Sequence, residues 1–301
     1  MEIFDFYVND FEYLNENLPR KDELEVWQLL VHVCQRWRSV VFGSPRRLNL
    51  QLVCTPRTPV VETLDIWPAF PLVVHCRGNY PISGVDNIIA ALKYRDRIRK
   101  INIEQRHAEF PWEKVVAVMQ VPFPELTDLV LESNESNEGA VFPDTFLGAY
   151  VPRLQLLELF RIQYPGLPIL LLSATHLVHL SLYDRPFVGY IPPEVIVSSL
   201  STLTSLESFT LETTGSRWLT PPTKHQLLST RTVLPALTHF SYTGFSRDLE
   251  DYVALIDCPK LNNFLIDFVD ESDCDTPQLD YFISRTPSLQ APENAPHVTY
   301  I

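Results

Sequence analysis

Several groupings of side chains in this 301-residue sequence carry the atoms for chemistry, and each falls short of a site. Asp270-Glu271-Ser272-Asp273-Cys274-Asp275 offers oxygens of the kind calcium takes. It lacks a turn glycine, however, and has Tyr281 where an EF-hand places its bidentate glutamate, so it reads as a solvated loop. His75 and Cys76 are adjacent, and in a strand they point to opposite faces, which cannot hold one metal ion. His176 and His179 do not share a face if extended. The nine glycines never form G-x-G or a phosphate loop, and no His-Glu-x-x-His occurs. Lys93, Arg95, Arg97, Arg99 and Lys100 form a basic cluster, but cations at a helix C-terminus are favourable in themselves and need no bound phosphate. The expectation is a protein with no catalytic residues, no metal and no cofactor.

Bulk composition narrows the partners. With 24 Lys+Arg against 37 Asp+Glu the net charge is −13, which repels phosphate backbones and anionic lipid and favours basic partners. Hydrophobic content of 46% and charged content of 20% exclude wholesale disorder. Five scattered cysteines, Cys34, Cys54, Cys76, Cys258 and Cys274, have neither zinc-site spacing nor disulfide-scaffold density, and read as reduced thiols. The first twenty residues carry no cation before Arg20, so no export signal is expected. The longest uncharged stretch, 162–183, is broken by Pro165, Gly166, Pro168, His176 and His179 and makes a poor membrane span. The location expected is cytoplasmic, nuclear or both, where the sequon Asn134-Glu135-Ser136 is only a polar loop.

The elements that position these side chains emerge from the prolines. There are 25, against 9 glycines, and five stand in a Pro-x-Leu unit ending at Leu126, Leu154, Leu237, Leu261 and Leu289. Aligned on those leucines, the chain repeats apolar-x-x-apolar-x-apolar. The copies are Ile98/Ile101/Ile103, Leu126/Leu129/Leu131, Leu154/Leu157/Leu159, Leu177/Leu180/Leu182, Leu206/Phe209/Leu211, Leu237/Phe240/Tyr242 and Leu261/Phe264/Ile266. Successive starts are 28, 28, 23, 29, 31 and 24 residues apart, the spacing of leucine-rich repeats. Helices are predicted between them at 87–97 (capped by Asp86), 112–119, 194–200, 247–256 and 278–284, with 167–172 a compact apolar turn at most. A proline two residues before each strand is expected to end the preceding helix. Leu289 begins an eighth repeat, which leaves His297 to Ile301 as either a degenerate closing strand or the mark of a truncated chain. The fold class is thus α/β, a solenoid of parallel strands with a helical or irregular convex side.

Ahead of the array, Asp22-x-x-Glu25 opens a helix with Val26, Leu30, Val33, Trp37 and Val40 on one face, and Leu48, Leu50 and Leu52 alternate as a strand. Val33-Cys34-Gln35-Arg36-Trp37-Arg38-Ser39-Val40-Val41 followed by Ser44-Pro45-Arg46-Arg47-Leu48 resembles the C-terminal half of an F-box. Val53-Cys54-Thr55-Pro56-Arg57-Thr58-Pro59 and Ile66-Trp67-Pro68 extend the likeness to F-box/leucine-rich-repeat proteins common in mushroom-forming fungi, over nearly the whole chain. Of that family's opening Leu-Pro-x-Asp/Glu-x-Leu-x-x-Ile-Phe only Ile3-Phe4 matches, so the F-box is read as truncated at its N-terminus; Leu18-Pro19 lacks the apolar continuation. The domains expected are a small helical F-box-like segment over 1–45, connecting strands and a first helix over 46–97, and about seven repeats over 98–301.

The resemblance implies that Ile3, Phe4, Val33, Trp37 and Val40 belong to a module docking on the Skp adaptor of a cullin-based ubiquitin ligase. It implies a non-catalytic substrate-recognition subunit; the alternative is a free-standing leucine-rich-repeat scaffold without ubiquitin linkage. The partner surface comes from periodicity, because positions three, five and seven of each repeat point away from the core. Across the seven copies these positions hold one cation, Lys100, and six carboxylates. The residues predicted to contact a protein substrate with a basic segment are Leu156, Glu158, Phe160, His179, Tyr183, Glu212, His239 and Asp267, with the apolar members as anchors.

Overall fold

An apolar triplet repeated at one phase along a chain can be buried only if successive strands lie side by side in the same direction and at the same height. The computed structural model meets that requirement. It describes residues 33–43, 51–66, 69–77, 84–105, 109–133, 140–183, 191–213, 231–269, 276–290 and 297–300. Ten strands form one parallel sheet in chain order. They are β1 (Leu52–Cys54), β2 (Leu72–Arg77), β3 (Ile98–Glu104), β4 (Asp128–Glu132), β5 (Leu156–Phe160), β6 (His179–Tyr183), β7 (Ser208–Thr213), β8 (His239–Gly244), β9 (Asn263–Phe268) and β10 (His297–Tyr300). The register reproduces the sequence alignment residue for residue. Ile101, Leu129, Leu157, Leu180, Phe209, Phe240 and Phe264 form one row, and Ile103, Leu131, Leu159, Leu182, Leu211, Tyr242 and Ile266 the next. Every one of these side chains is buried. Within the first row the rings of Phe209, Phe240 and Phe264 stack with centroids 5.3 and 5.1 Å apart, and Phe282 closes the run edge-on at 5.6 Å.

Helices return the chain between strands. α1 (Gln35–Gly43) precedes the sheet, followed by α2 (Val60–Ile66), α3 (Val85–Leu92), α4 (Trp112–Val118), α5 (Leu167–Ser173), α6 (Pro193–Leu200), α7 (Ser246–Leu255) and α8 (Pro277–Arg285). α3 packs on α2 and α4, α6 on α5 and α7, and α8 on α7. Among the described residues no helix is long and apolar enough to cross a membrane. Four expectations need correction. Residues 167–173 are a helix, not a turn: Pro168 sits in its first turn, and Leu167, Leu170 and Leu171 recur at helical spacing into the core. The helix predicted at 87–97 runs from Val85 to Leu92, with Gly84 in place of Asp86 as its cap residue. A Cβ at Gly84 would lie 2.4 Å from that of Pro56, so the close approach selects glycine there. Strands β1 and β2 extend the same sheet, so the segment before Ile98 is part of it. His297–Tyr300 pairs in parallel with β9 as the tenth strand.

The fourth correction concerns proline. Before β4 to β9, and again at Leu289, the amide of the repeat's first apolar residue donates to the carbonyl three residues back: Leu126 to Phe123, Leu154 to Val151, Leu177 to Ala174, Leu206 to Leu203, Leu237 to Leu234, Leu261 to Cys258 and Leu289 to Thr286, at 2.9–3.4 Å. Both ends of every turn are buried. The Pro-x-Leu prolines occupy the second position of these turns, where a fixed φ is wanted and no amide donor is required. Pro124, Pro152 and Pro259 thus lead into strands after the preceding helical turn has already ended, whereas Pro287 directly follows the cap residue of α8, where the expected helix stop holds.

Near the C-terminal edge two helices cap one another. The Glu250 carboxylate of α7 accepts from the amides of Gln278 and Leu279 at the start of α8, at 2.9 and 2.7 Å. Arg285 at the end of α8 donates to the carbonyls of Val253 and Ile256, at 2.7 and 2.6 Å, and to the Asp257 carboxylate at 2.7 Å. Each charge thus satisfies backbone groups that a helix end leaves unpaired. The aromatic row sets a test of core continuity. Phe240→Ala removes the middle ring and lowers stability by about 3–5 kcal/mol, read as a fall in the urea midpoint.

Candidate partner-binding face

Residues alternating with the buried rows project from the other face of the sheet. In register, β4 to β6 place Asp128, Leu156 and His179 in one row, Val130, Glu158 and Ser181 in a second, and Glu132, Phe160 and Tyr183 in a third. Five of the predicted contact residues, Leu156, Glu158, Phe160, His179 and Tyr183, therefore meet on two adjacent strands. Glu212 lies on the neighbouring β7, whereas His239 is on β8 and Asp267 on β9. With strands about 4.8 Å apart, Asp267 stands about 14 Å from the Tyr183 strand, outside the same cluster. His179 and His239 are exposed and the other six are half-buried.

The centre of this face is aromatic. Phe160 and Tyr183 stack in parallel, with centroids 4.0 Å apart and planes 7° from coincidence. Cross-strand placement sets Phe160 directly opposite Tyr183, and their side-chain torsions bring the two rings into contact. Two residues before Phe160 on the same strand, the Glu158 carboxylate is shifted above the ordinary glutamate range. Burial is the largest cause, the charge of Glu104 adds to it, and His179 opposes it. The carboxylates on the preceding strands have cations of their own. Arg77 reaches Glu104 at 2.9 Å, with the Asn102 amide at 3.0 Å, and Lys100 lies 3.5 Å from Asp128. Arg77 and His75 belong to this face and were missed from the sequence, because β2 carries its first apolar residue, Leu72, two residues before Val74 instead of three, with a register shift against β3 at that point. The alternation Leu72/Val74/Cys76 was the usable signal. Leu265, 42% exposed on β9, is a second apolar point on the same face.

Of the residues assigned to adaptor docking, Ile3 and Phe4 lie outside the described residues. Val33 is 60% and Val40 43% exposed, while Trp37 and Phe42 pack against the core, Phe42 with its ring 5.9 Å from that of Phe70. The acidic segment 270–275 also lies outside the described residues. Among those described, no group of three His, Cys, Asp or Glu side chains could hold a metal ion. Two thiols are unsuited to nucleophilic work. Burial pushes Cys76 up to about 11 and Cys258 up to about 12, and a thiol so far from ionisation at neutral pH does not attack. No family model matches the chain, and no curated protein matches it.

Glu158 carries a stability signature. Its folded-state proton affinity is raised, so its charge opposes folding above the folded pKa, and the penalty vanishes below the unfolded one. Glu158→Gln therefore melts at a higher temperature than the parent at pH 7.5, and the difference closes as the pH falls below 4.5, the ordinary glutamate value, in a calorimetric pH series.

Proposed function

We propose that the chain is a non-catalytic interaction scaffold of the leucine-rich-repeat kind, holding a protein partner on the open face of its sheet. The half-exposed Phe160–Tyr183 stack is the observation that carries this reading. An ordered aromatic pair left partly outside the core, among polar residues, is how binding energy is concentrated at protein interfaces. Parallel strands in chain order, a repeat of 23–31 residues and one helix in most connections support the repeat class.

In the finer reading the scaffold is the substrate-recognition subunit of a Skp-cullin-F-box ubiquitin ligase. The exposure of Val33 and Val40 beside the packed Trp37 supports it, since a docking helix must keep apolar side chains outside its own core. The packing of Trp37 and Phe42 against the core favours a second reading, in which α1 caps a free-standing scaffold.

Co-expression with a fungal Skp adaptor and size-exclusion chromatography separates the two. The ligase reading expects co-elution that is lost in Val33→Asp/Val40→Asp, while the far-UV spectrum and melting temperature stay unchanged because both side chains are exposed. Separate elution of the folded parent chain leaves the free-standing scaffold.

A further inference from the structure

The open face is acidic in an uneven way. Glu104 and Asp128 are matched within the chain by Arg77 and Lys100. Glu158 is not: among the described residues its electrostatic neighbours are Glu104, of like charge, and His179, and neither hydrogen-bonds to it. A half-buried carboxylate held beside another carboxylate is unfavourable, and a cation brought to it gains most where water is already partly excluded. The same strand sets that carboxylate two residues from Phe160, whose ring is backed by Tyr183 at 4.0 Å. Leu156 stands two residues on the other side, and Ser181 is opposite Glu158 in register, with 8% of its surface exposed.

Resting on the reading of this face as a partner surface, we infer that it takes an arginine side chain from an extended segment of a protein partner, the guanidinium paired with Glu158 and lying against the Phe160–Tyr183 rings. The fit is to arginine rather than lysine on three counts. A planar delocalised cation stacks on aromatic rings as an ammonium cannot. It presents parallel N–H donors to a carboxylate. It sheds water more readily, and its alkyl stem has Leu156 to cover. The chain's net charge of −13 draws such a segment in and sets no like-charged patch against it on β4 to β7.

The test is selection from a phage-displayed library of short random peptides on the immobilised full chain, followed by synthesis of the leading peptide. The inference expects arginine enriched at one position. Replacing that arginine by lysine weakens binding about tenfold in fluorescence polarisation, as does Glu158→Gln in the protein. Phe160→Asp/Tyr183→Asp abolishes binding, with circular dichroism and melting curves confirming that each variant folds. A pool without arginine that is nonetheless lost in Phe160→Asp/Tyr183→Asp leaves the face as a binding surface and overturns the arginine. Arginine-rich peptides indifferent to Glu158→Gln overturn it as well, since general attraction to an acidic protein then suffices. Peptides indifferent to every variant, or no peptide above background, overturn the arginine and the partner face together.

Discussion

Strands β4 to β9 each enter the sheet through a backbone turn whose first and fourth residues are both buried, and the rest of the molecule hangs on that constraint. A strand is free in principle to slide along its neighbour, and a slip of one residue would turn every apolar side chain outward. Here the turn's closing residue, Leu126 or its counterpart, is fixed in the core before pairing begins, so the height of the strand is decided locally. Two of the seven turns, at Ala174-Thr175-His176-Leu177 and Leu203-Thr204-Ser205-Leu206, make the same hydrogen bond without proline. Proline is thus an aid and the buried pair of ends the requirement. By limiting the unfolded chain, proline lowers the entropy lost on making the turn.

This explains which parts of the molecule could be read from residues alone. Where an apolar side chain marks the turn's end and two more follow at three and five residues, the alignment is unique, and β3 to β9 were legible down to the register. β1 and β2 were not, since their first apolar residues, Leu52 and Leu72, precede the next buried one by two residues instead of three, and β1 is three residues long. Helix α5 was mistaken for a turn because seven residues give less than two periods to count. Of the site, the row positions of Phe160 and Tyr183 followed from the repeat, but their ring contact did not, for it depends on side-chain torsions. The pairing of Glu104 with Arg77 was hidden with β2, and with it the distinction between matched and unmatched carboxylates.

The two faces of the sheet answer to different demands. The helical face holds stacked leucines and phenylalanines, where a single lost ring leaves a cavity flanked by its neighbours in the row. The open face contributes little to that packing, so its residues can be chosen for something outside the molecule. Glu158 illustrates the choice: its charge sits where burial and Glu104 both disfavour it. A residue that costs the free protein stability is an ordinary companion of binding sites.

Because chain order and sheet order coincide, β1 and β10 stand at opposite edges, with eight strands between them. A pull applied between those edges loads the ladders of hydrogen bonds in series, and the least stable of them opens first. Each repeat touches mainly its neighbours, so the work is delivered in small instalments along the array. The interruption lies between α7 and α8, where Glu250 and Arg285 tie two consecutive turns of the coil and make them yield together. Mechanically, then, the molecule is a soft spring with one stiffened end, able to give way beside one edge while the central strands that carry Phe160 and Tyr183 keep their shape.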